Sequence, residues 1–320
     1  MEYRRLGRAG IKVSELSFGS WLTFGSNLDL DQAKQCFQEA FSNGINFFDC
    51  AEVYGNGAAE LIMGEALRSF PREHIVVSTK LFWGGHSPNE QGLSYKHLFE
   101  GIHNSLRRLQ MEYVDLIFCH RPDPDTPIEE TVRGMDQIIR SGKALYWGTS
   151  EWSAEEITEA HIVAREIGAI PPTMEQPQYN LLRRKRLEIE YAPLYAKFGM
   201  GTTTWSPLAG GILSGKYNHS IPENSRYGKV ESLKKYLTNE SIEKARELEL
   251  LANDLNCSST QLALAWCLKK PHVSSVITGA SNVDQLRENL TSIEVKNKLN
   301  EQMLKKIEKV TQVDVGGEHG

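Results

Sequence analysis

Eight short runs of β-branched and aromatic residues recur along this 320-residue chain, each followed by a segment with helical spacing of its apolar positions. The first four are Leu16-Ser17-Phe18-Gly19, Ile45-Asn46-Phe47-Phe48-Asp49, Ile75-Val76-Val77-Ser78-Thr79-Lys80 and Val114-Asp115-Leu116-Ile117-Phe118-Cys119-His120, and four more fall at 143–150, 172–176, 201–205 and 273–279. Helices are predicted at 31–43, 58–69, 94–109, 128–141, 153–167 and 185–197. After a long loop through Tyr227 come helices at 241–255 and 260–269, and after the last strand helices at 283–290 and 300–310. Alternation of this kind demands parallel strands with both faces covered, as an open doubly wound sheet or a closed barrel.

Two features select the barrel. The first strand is not followed by G-x-G-x-x-G, and the near miss Gly55-Asn56-Gly57 has Glu60 where a third glycine belongs. Polar residues also end many different strands, as they do at the carboxyl face of a (β/α)8 barrel. The expectation is an α/β chain with one (β/α)8 TIM barrel over 1–315 and a loose tail over 316–320. A β-hairpin around Gly7 and Gly10 would plug one end.

Net charge is −5, with acidic and basic residues interleaved, so no broad positive face for nucleic acid is expected. The short run Arg183-Arg184-Lys185-Arg186 is a solvated helix face first and a phosphate contact second. No apolar stretch approaches the roughly 20 residues that cross a bilayer, and Met1-Glu2-Tyr3-Arg4-Arg5 lacks a signal peptide's apolar core. A soluble, cytoplasmic chain is expected. Its five cysteines, Cys36, Cys50, Cys119, Cys257 and Cys267, show no C-x-x-C spacing, which predicts reduced, mostly buried thiols and no metal site.

Asp49, Tyr54, Lys80 and His120 end or follow three neighbouring strands and make a set for handing a proton to a carbonyl oxygen. A phenol has an ordinary pKa of about 10, which a nearby ammonium lowers. Tyr54 is then the acid, Lys80 its activator, Asp49 the anchor of Lys80, and His120 a second hydrogen-bonding group at the same oxygen. Each has a plainer reading. Asp49 with Lys80 could be a strand-end ion pair, Tyr54 a half-buried aromatic and His120 a satisfied core group. Lys80 as a Schiff-base nucleophile is a further alternative.

The motifs Asn46-Phe47-Phe48-Asp49-x-Ala51-Glu52-x-Tyr54, Lys80-Leu81-Phe82-Trp83-Gly84-Gly85, His120-Arg121-Pro122-Asp123, Tyr146-Trp147-Gly148-Thr149-Ser150 and Thr204-Trp205-Ser206-Pro207-Leu208 resemble those of the aldo-keto reductases. Within that family the chain resembles the branch holding the β subunits of voltage-gated potassium channels, almost from end to end. The resemblance implies a catalytic tetrad at Asp49, Tyr54, Lys80 and His120, and NADP(H) lying across the barrel mouth. It places Ser20, Trp21, Asn27 and Asp49 beside cofactor and substrate, Ser150 and Gln176 on the carboxamide, and Trp205 near the nicotinamide ring.

By the same matching Ser206, Pro207, Leu208, Gly210, Lys216, Tyr217 and Arg226 line the pyrophosphate and adenosine side. Gly279, Ser281, Gln285, Glu288 and Asn289 match the adenosine-phosphate site. Independently of the family, small residues opening a helix suit an anion, and Lys216 and Arg226 either supply charge to it or are solvated loop cations. Trp21, Phe82 and Trp83, with Tyr54 and His120, either form the pocket for a carbonyl substrate's side chain or, for the aromatics, simply pack.

In the channel subunits the fourth tetrad position is typically asparagine, whereas this chain has His120, as active reductases do. Glu151 follows Ser150 where the animal subunits carry arginine, so local contacts need not be the same. The resemblance thus implies an NADPH-dependent carbonyl reductase, or else a redox-sensing regulatory subunit docked on a membrane channel. A homotetramer fits either case.

Overall fold

A computed structural model of the chain describes residues 1–20, 30–222, 225–229 and 236–312, with the backbone alone at Arg226 and Lys229. Trp21, Asn27, the Arg226 side chain and the tail 316–320, all named above, lie outside the described residues.

An antiparallel hairpin, β1 (Tyr3–Arg5) with β2 (Lys12–Ser14), precedes the repeating units. The barrel strands are β3 (Leu16–Gly19), β4 (Phe47–Asp49), β5 (Val76–Leu81), β6 (Val114–Cys119), β7 (Ala144–Thr149), β8 (Met174–Glu175), β9 (Gly201–Thr204) and β10 (Ser275–Thr278). They pair in parallel in chain order, and β10 closes on β3. The fold is therefore the (β/α)8 barrel with an N-terminal hairpin.

Helices α1 (Leu30–Ser42), α2 (Ala58–Leu67), α3 (Tyr95–Leu109), α4 (Ile128–Arg140), α5 (Ala154–Glu166), α6 (Ala192–Phe198), α7 (Arg226–Lys229), α8 (Asn239–Asp254), α9 (Ser259–Leu268), α10 (Val283–Lys298) and α11 (Glu301–Val310) surround it. Caps set several of their starts. Ser153, Thr238 and Ser258 each form a reciprocal capping box, and the Ser94 side chain accepts from the His97 N–H.

Two predicted helices differ from the structure. The segment 185–197 is a wide π turn over Arg186–Glu190 followed by α6, because Pro193 lacks the N–H that would continue the ladder. In contrast, α10 runs through to Lys298, past the predicted end at 290. Leu286, Asn289, Ser292, Val295 and Lys296 keep one face buried, and the Ser292 hydroxyl bonds back to the Asn289 carbonyl at 2.6 Å.

Period two sorts each strand. Phe47, Val76, Leu116, Phe118, Met174 and Ile277 fill the barrel interior with Leu6 and Val13 of the hairpin, while Phe48, Val77, Leu81, Ile117, Cys119 and Trp147 belong to the separate core beneath the helices. All five cysteines are free thiols, and Cys50 and Cys119 pack in that outer core, as their strand parity requires. Counting on by twos from the interior residues reaches Asp49, Lys80, His120, Ser150 and Gln176. The same parity that packs the floor therefore aims these five inward at the top.

The floor is sealed by backbone. Gly7 has φ +60°, and a Cβ there would lie 2.2 Å from the Gly199 carbonyl oxygen; the Arg8 N–H donates to that oxygen at 2.9 Å. Gly7→Ala is expected to lower stability by about 3 kcal/mol, from overpacking against main chain plus left-handed strain. The fall in urea midpoint measures it, and an unchanged midpoint would show the hairpin to be a dispensable lid.

Candidate active site

A cavity of about 850 Å³ opens at the carboxyl ends of the barrel strands. At its inner end the Lys80 ammonium is fully buried and held at 2.6 Å by Asp49 Oδ2, at 2.8 Å by the Cys50 carbonyl and at 3.3 Å by Tyr54 Oη. The other Asp49 oxygen accepts from Ser78 Oγ at 2.7 Å and from Gln176 Nε2 at 3.1 Å. Three donors thus meet this buried carboxylate, which is what makes a buried ion pair tolerable. Asp49 raises the lysine's pKa against desolvation, the largest influence on it, so the ammonium persists.

Tyr54 sits in a tight turn, Tyr54–Gly57, in which Gly55, Asn56 and Gly57 all have positive φ. Its phenol departs from the sequence expectation. Burial dominates and raises the pKa, while Lys80 opposes with a smaller downward pull. The hydroxyl is therefore protonated at neutral pH. His120 meets the Tyr54 ring edge-on at 5.8 Å and the Trp83 ring at 5.1 Å. Burial, then Lys80 and Arg121, hold its pKa well below the usual imidazole range, so it is a neutral hydrogen-bonding group. Its Nδ1 is buried and bonded to nothing among the described residues.

Ser150, Gln176, Trp205, Ser206, Pro207, Leu208, Gly210, Lys216, Gly279, Ser281, Gln285, Glu288 and Asn289, expected from the sequence to hold a cofactor, line the same cavity. Lys80, sealed behind Asp49 and Tyr54, does not, and neither do Ser20, Phe82 and Tyr217. Ser20 is buried with its hydroxyl on the Asp49 carbonyl at 3.1 Å, the Phe82 ring packs tilted against Trp83 at 4.7 Å, and Tyr217 is buried edge-on against Tyr227. Sequence reasoning also missed residues that line the wall, among them Arg121, Val53, Gly211, Ser214, Thr260 and Leu264. Arg121 had a signal, since it follows His120 directly at a strand end. Thr260 and Leu264 had none, because they come from α9, remote in sequence from the strand ends.

One wall depends on a strained residue. Glu151 has φ +61°, and its carboxylate accepts the Trp205 indole N–H at 3.0 Å and the Gln178 N–H at 2.5 Å. Arg186 bonds both its carboxylate and its carbonyl at 2.9 Å. Beneath, the Glu151 N–H donates at 2.6 Å to Glu175, a fully buried carboxyl whose pKa burial pushes up to about 8.

The sequence pattern of the aldo/keto reductase family matches residues 15–312. The chain belongs to the aldo/keto reductase family. Among family members it is similar to two proteins each named "Probable voltage-gated potassium channel subunit beta", from Oryza sativa subsp. japonica and from Arabidopsis thaliana. Each is 50% identical over 319 residues, which is 98% of this chain and 97% of the relative. Among the described residues no helix is long and apolar enough to cross a membrane, and no cluster of three or more His, Cys, Asp or Glu could hold a metal ion.

The Glu175 carboxyl in this aldo/keto reductase keeps its proton up to about pH 8, whereas the unfolded chain releases it near 4.5. Folding therefore loses stability as pH rises through that window. Relative to the native chain, Glu175→Gln should gain stability between pH 4.5 and 8 and change no further above it. Denaturant midpoints at intervals across this range test it, and parallel curves would mean the carboxyl ionises normally.

Proposed function

We propose that this chain reduces aldehydes and ketones to alcohols with NADP(H), Tyr54 acting as general acid. The observation that supports the reading is the Asp49–Lys80–Tyr54 chain of contacts, 2.6 and 3.3 Å long, opening into a cavity that reaches the N-terminus of α10.

The residues present fit a dinucleotide. Midway, Ser206, Ala209, Gly210 and Gly211 all have positive φ in a tight turn, and the two adjacent glycines leave a cradle without side chains that a phosphate can approach closely. A Cβ on Gly211 would strike the Lys216 ammonium at 2.6 Å, so the cation folds over the cradle. At the far end Ser281, Gln285 and Asn289 stand around the opening of α10, where Asn282 caps the helix. When bound, a nicotinamide supplies the hydride for the carbonyl carbon.

The chain's own groups manage the oxygen. Tyr54 Oη passes its proton to the forming alkoxide, and the adjacent ammonium stabilises the phenolate left behind. Lys80 is prevented from becoming the nucleophile because Asp49 keeps it charged. Neutral His120 offers a ring N–H to the same oxygen without introducing a second cation. Gln176, anchored on Asp49 and on Thr203 Oγ1 at 3.2 Å, and Ser150, fixed on the Gln176 carbonyl at 2.8 Å, supply polar groups where a carboxamide would lie.

The names of the plant relatives favour a second reading, in which this chain is a cytoplasmic β subunit of a potassium channel, assembled as a homo-oligomer, whose reductase activity serves as a redox sensor. Co-purification with a channel combined with negligible turnover on a panel of aldehydes would establish it over the first.

Tyr54→Phe should lower kcat by roughly 10²-fold or more with NADPH affinity nearly unchanged. Equal loss of both would make Tyr54 a structural residue. Lys216→Ala should weaken NADPH binding more than NADH binding, as read by nucleotide fluorescence, and an unchanged ratio would remove Lys216 from the phosphate site.

A further inference from the structure

Arg121 lies at the reactive end of the cavity, half-buried, between two indoles. Its guanidinium carbon is 5.6 Å from the Trp83 ring centre and 5.9 Å from that of Trp205. Nη1 donates to the His120 carbonyl at 2.5 Å and reaches Ser150 Oγ at 3.4 Å. Among the described residues Nε and Nη2 have no hydrogen bond, and no carboxylate pairs with the cation. This sets it apart from Arg4, Arg72, Arg108, Arg184 and Arg186, each bound to a glutamate or aspartate.

The acidic groups of the cavity are committed elsewhere. Asp49 is neutralised by Lys80, and Glu288, at the adenosine end, accepts from Ser258 at 2.7 Å. Glu151, behind Trp205, is taken by Arg186. At the reactive end the guanidinium is thus a planar fork with donors to spare and no carboxylate paired to it among the described residues. An arginine fork matches a carboxylate in a bidentate manner, and flanking indoles exclude water and strengthen the pair.

We propose that Arg121 recognises an anionic substituent, so that the pocket selects aldehydes and ketones that also bear a carboxylate. This rests on the reductase reading above for the word substrate, but the anion site itself does not. The carbonyl faces Tyr54 and His120, and the carboxylate turns outward past Trp83 to the guanidinium.

The matched probes are 4-carboxybenzaldehyde and methyl 4-formylbenzoate, which share ring and aldehyde and differ in charge. The native enzyme with NADPH should favour the acid by at least tenfold in kcat/KM. Arg121→Gln should reduce that preference to near unity by a roughly 10- to 100-fold loss on the acid, as expected for removing hydrogen bonds to a charged group. Arg121→Lys should retain part of it. Calorimetric titration of benzoate and benzamide into the nucleotide-loaded protein gives a readout independent of turnover: benzoate should bind the native protein and not Arg121→Gln.

A native enzyme indifferent to the charge, or a preference that survives in Arg121→Gln, overturns the proposal. So does an equal loss on both aldehydes with benzoate affinity unchanged, since Arg121 would then merely hold His120 in place. If neither aldehyde is reduced while benzoate binding still requires Arg121, the reductase reading fails and the anion site stands.

Discussion

A lysine ammonium buried inside a β-barrel is costly, and the top of this barrel is built to make it bearable. Lys80 on β5 needs Asp49 from β4, and Asp49 in turn needs Ser78 from β5 and Gln176 from the end of β8. Removing a single partner would strand a charge in low dielectric, which is why the four side chains act as one unit. Closure of the sheet is what supplies them, since strands four apart in chain order meet only when the barrel is complete. The site and the fold are thus mutually dependent. A partly open sheet would lose Gln176 from Asp49 and leave that carboxylate short of a donor.

Around that pair the chemistry divides by environment. Tyr54 and His120 share one desolvated corner, yet burial acts on them in opposite directions, raising the phenol and lowering the imidazole. Both therefore remain uncharged across neutrality, and the Lys80 ammonium is held directly against the phenolic oxygen. Glu151 plays the corresponding part on the opposite wall, where a left-handed backbone and an arginine clamp fix the indole of Trp205.

Much of this was legible in the chain. Period-two alternation in Val76-Val77-Ser78-Thr79-Lys80 and in Phe118-Cys119-His120 separates inward from outward side chains before any coordinate is known, and in the structure Cys119 packs in the outer core while its neighbour His120 faces the cavity. The barrel followed from the strand and helix rhythm and from the missing glycine fingerprint. What escaped depended on competition between effects. Spacing alone places a lysine near Tyr54, but whether its charge or the loss of water governs the phenol is decided by burial, which no local pattern records. Pro193 marks the break inside 185–197 in the sequence itself, because it has no N–H to continue the ladder. The continuation of α10 rests on packing of Val295 and Lys296 against distant elements, so its local sequence gave no cue. Arg121 was passed over because a charged residue after a strand is ordinarily solvated, and its seat between Trp83 and Trp205 is a product of tertiary structure.

The contact of Gly7 with Gly199 and Gly201 at the opposite end has a kinetic corollary. Among the described residues the barrel is a cul-de-sac, stoppered at its base, so whatever reaches Tyr54 arrives and departs by the carboxyl face.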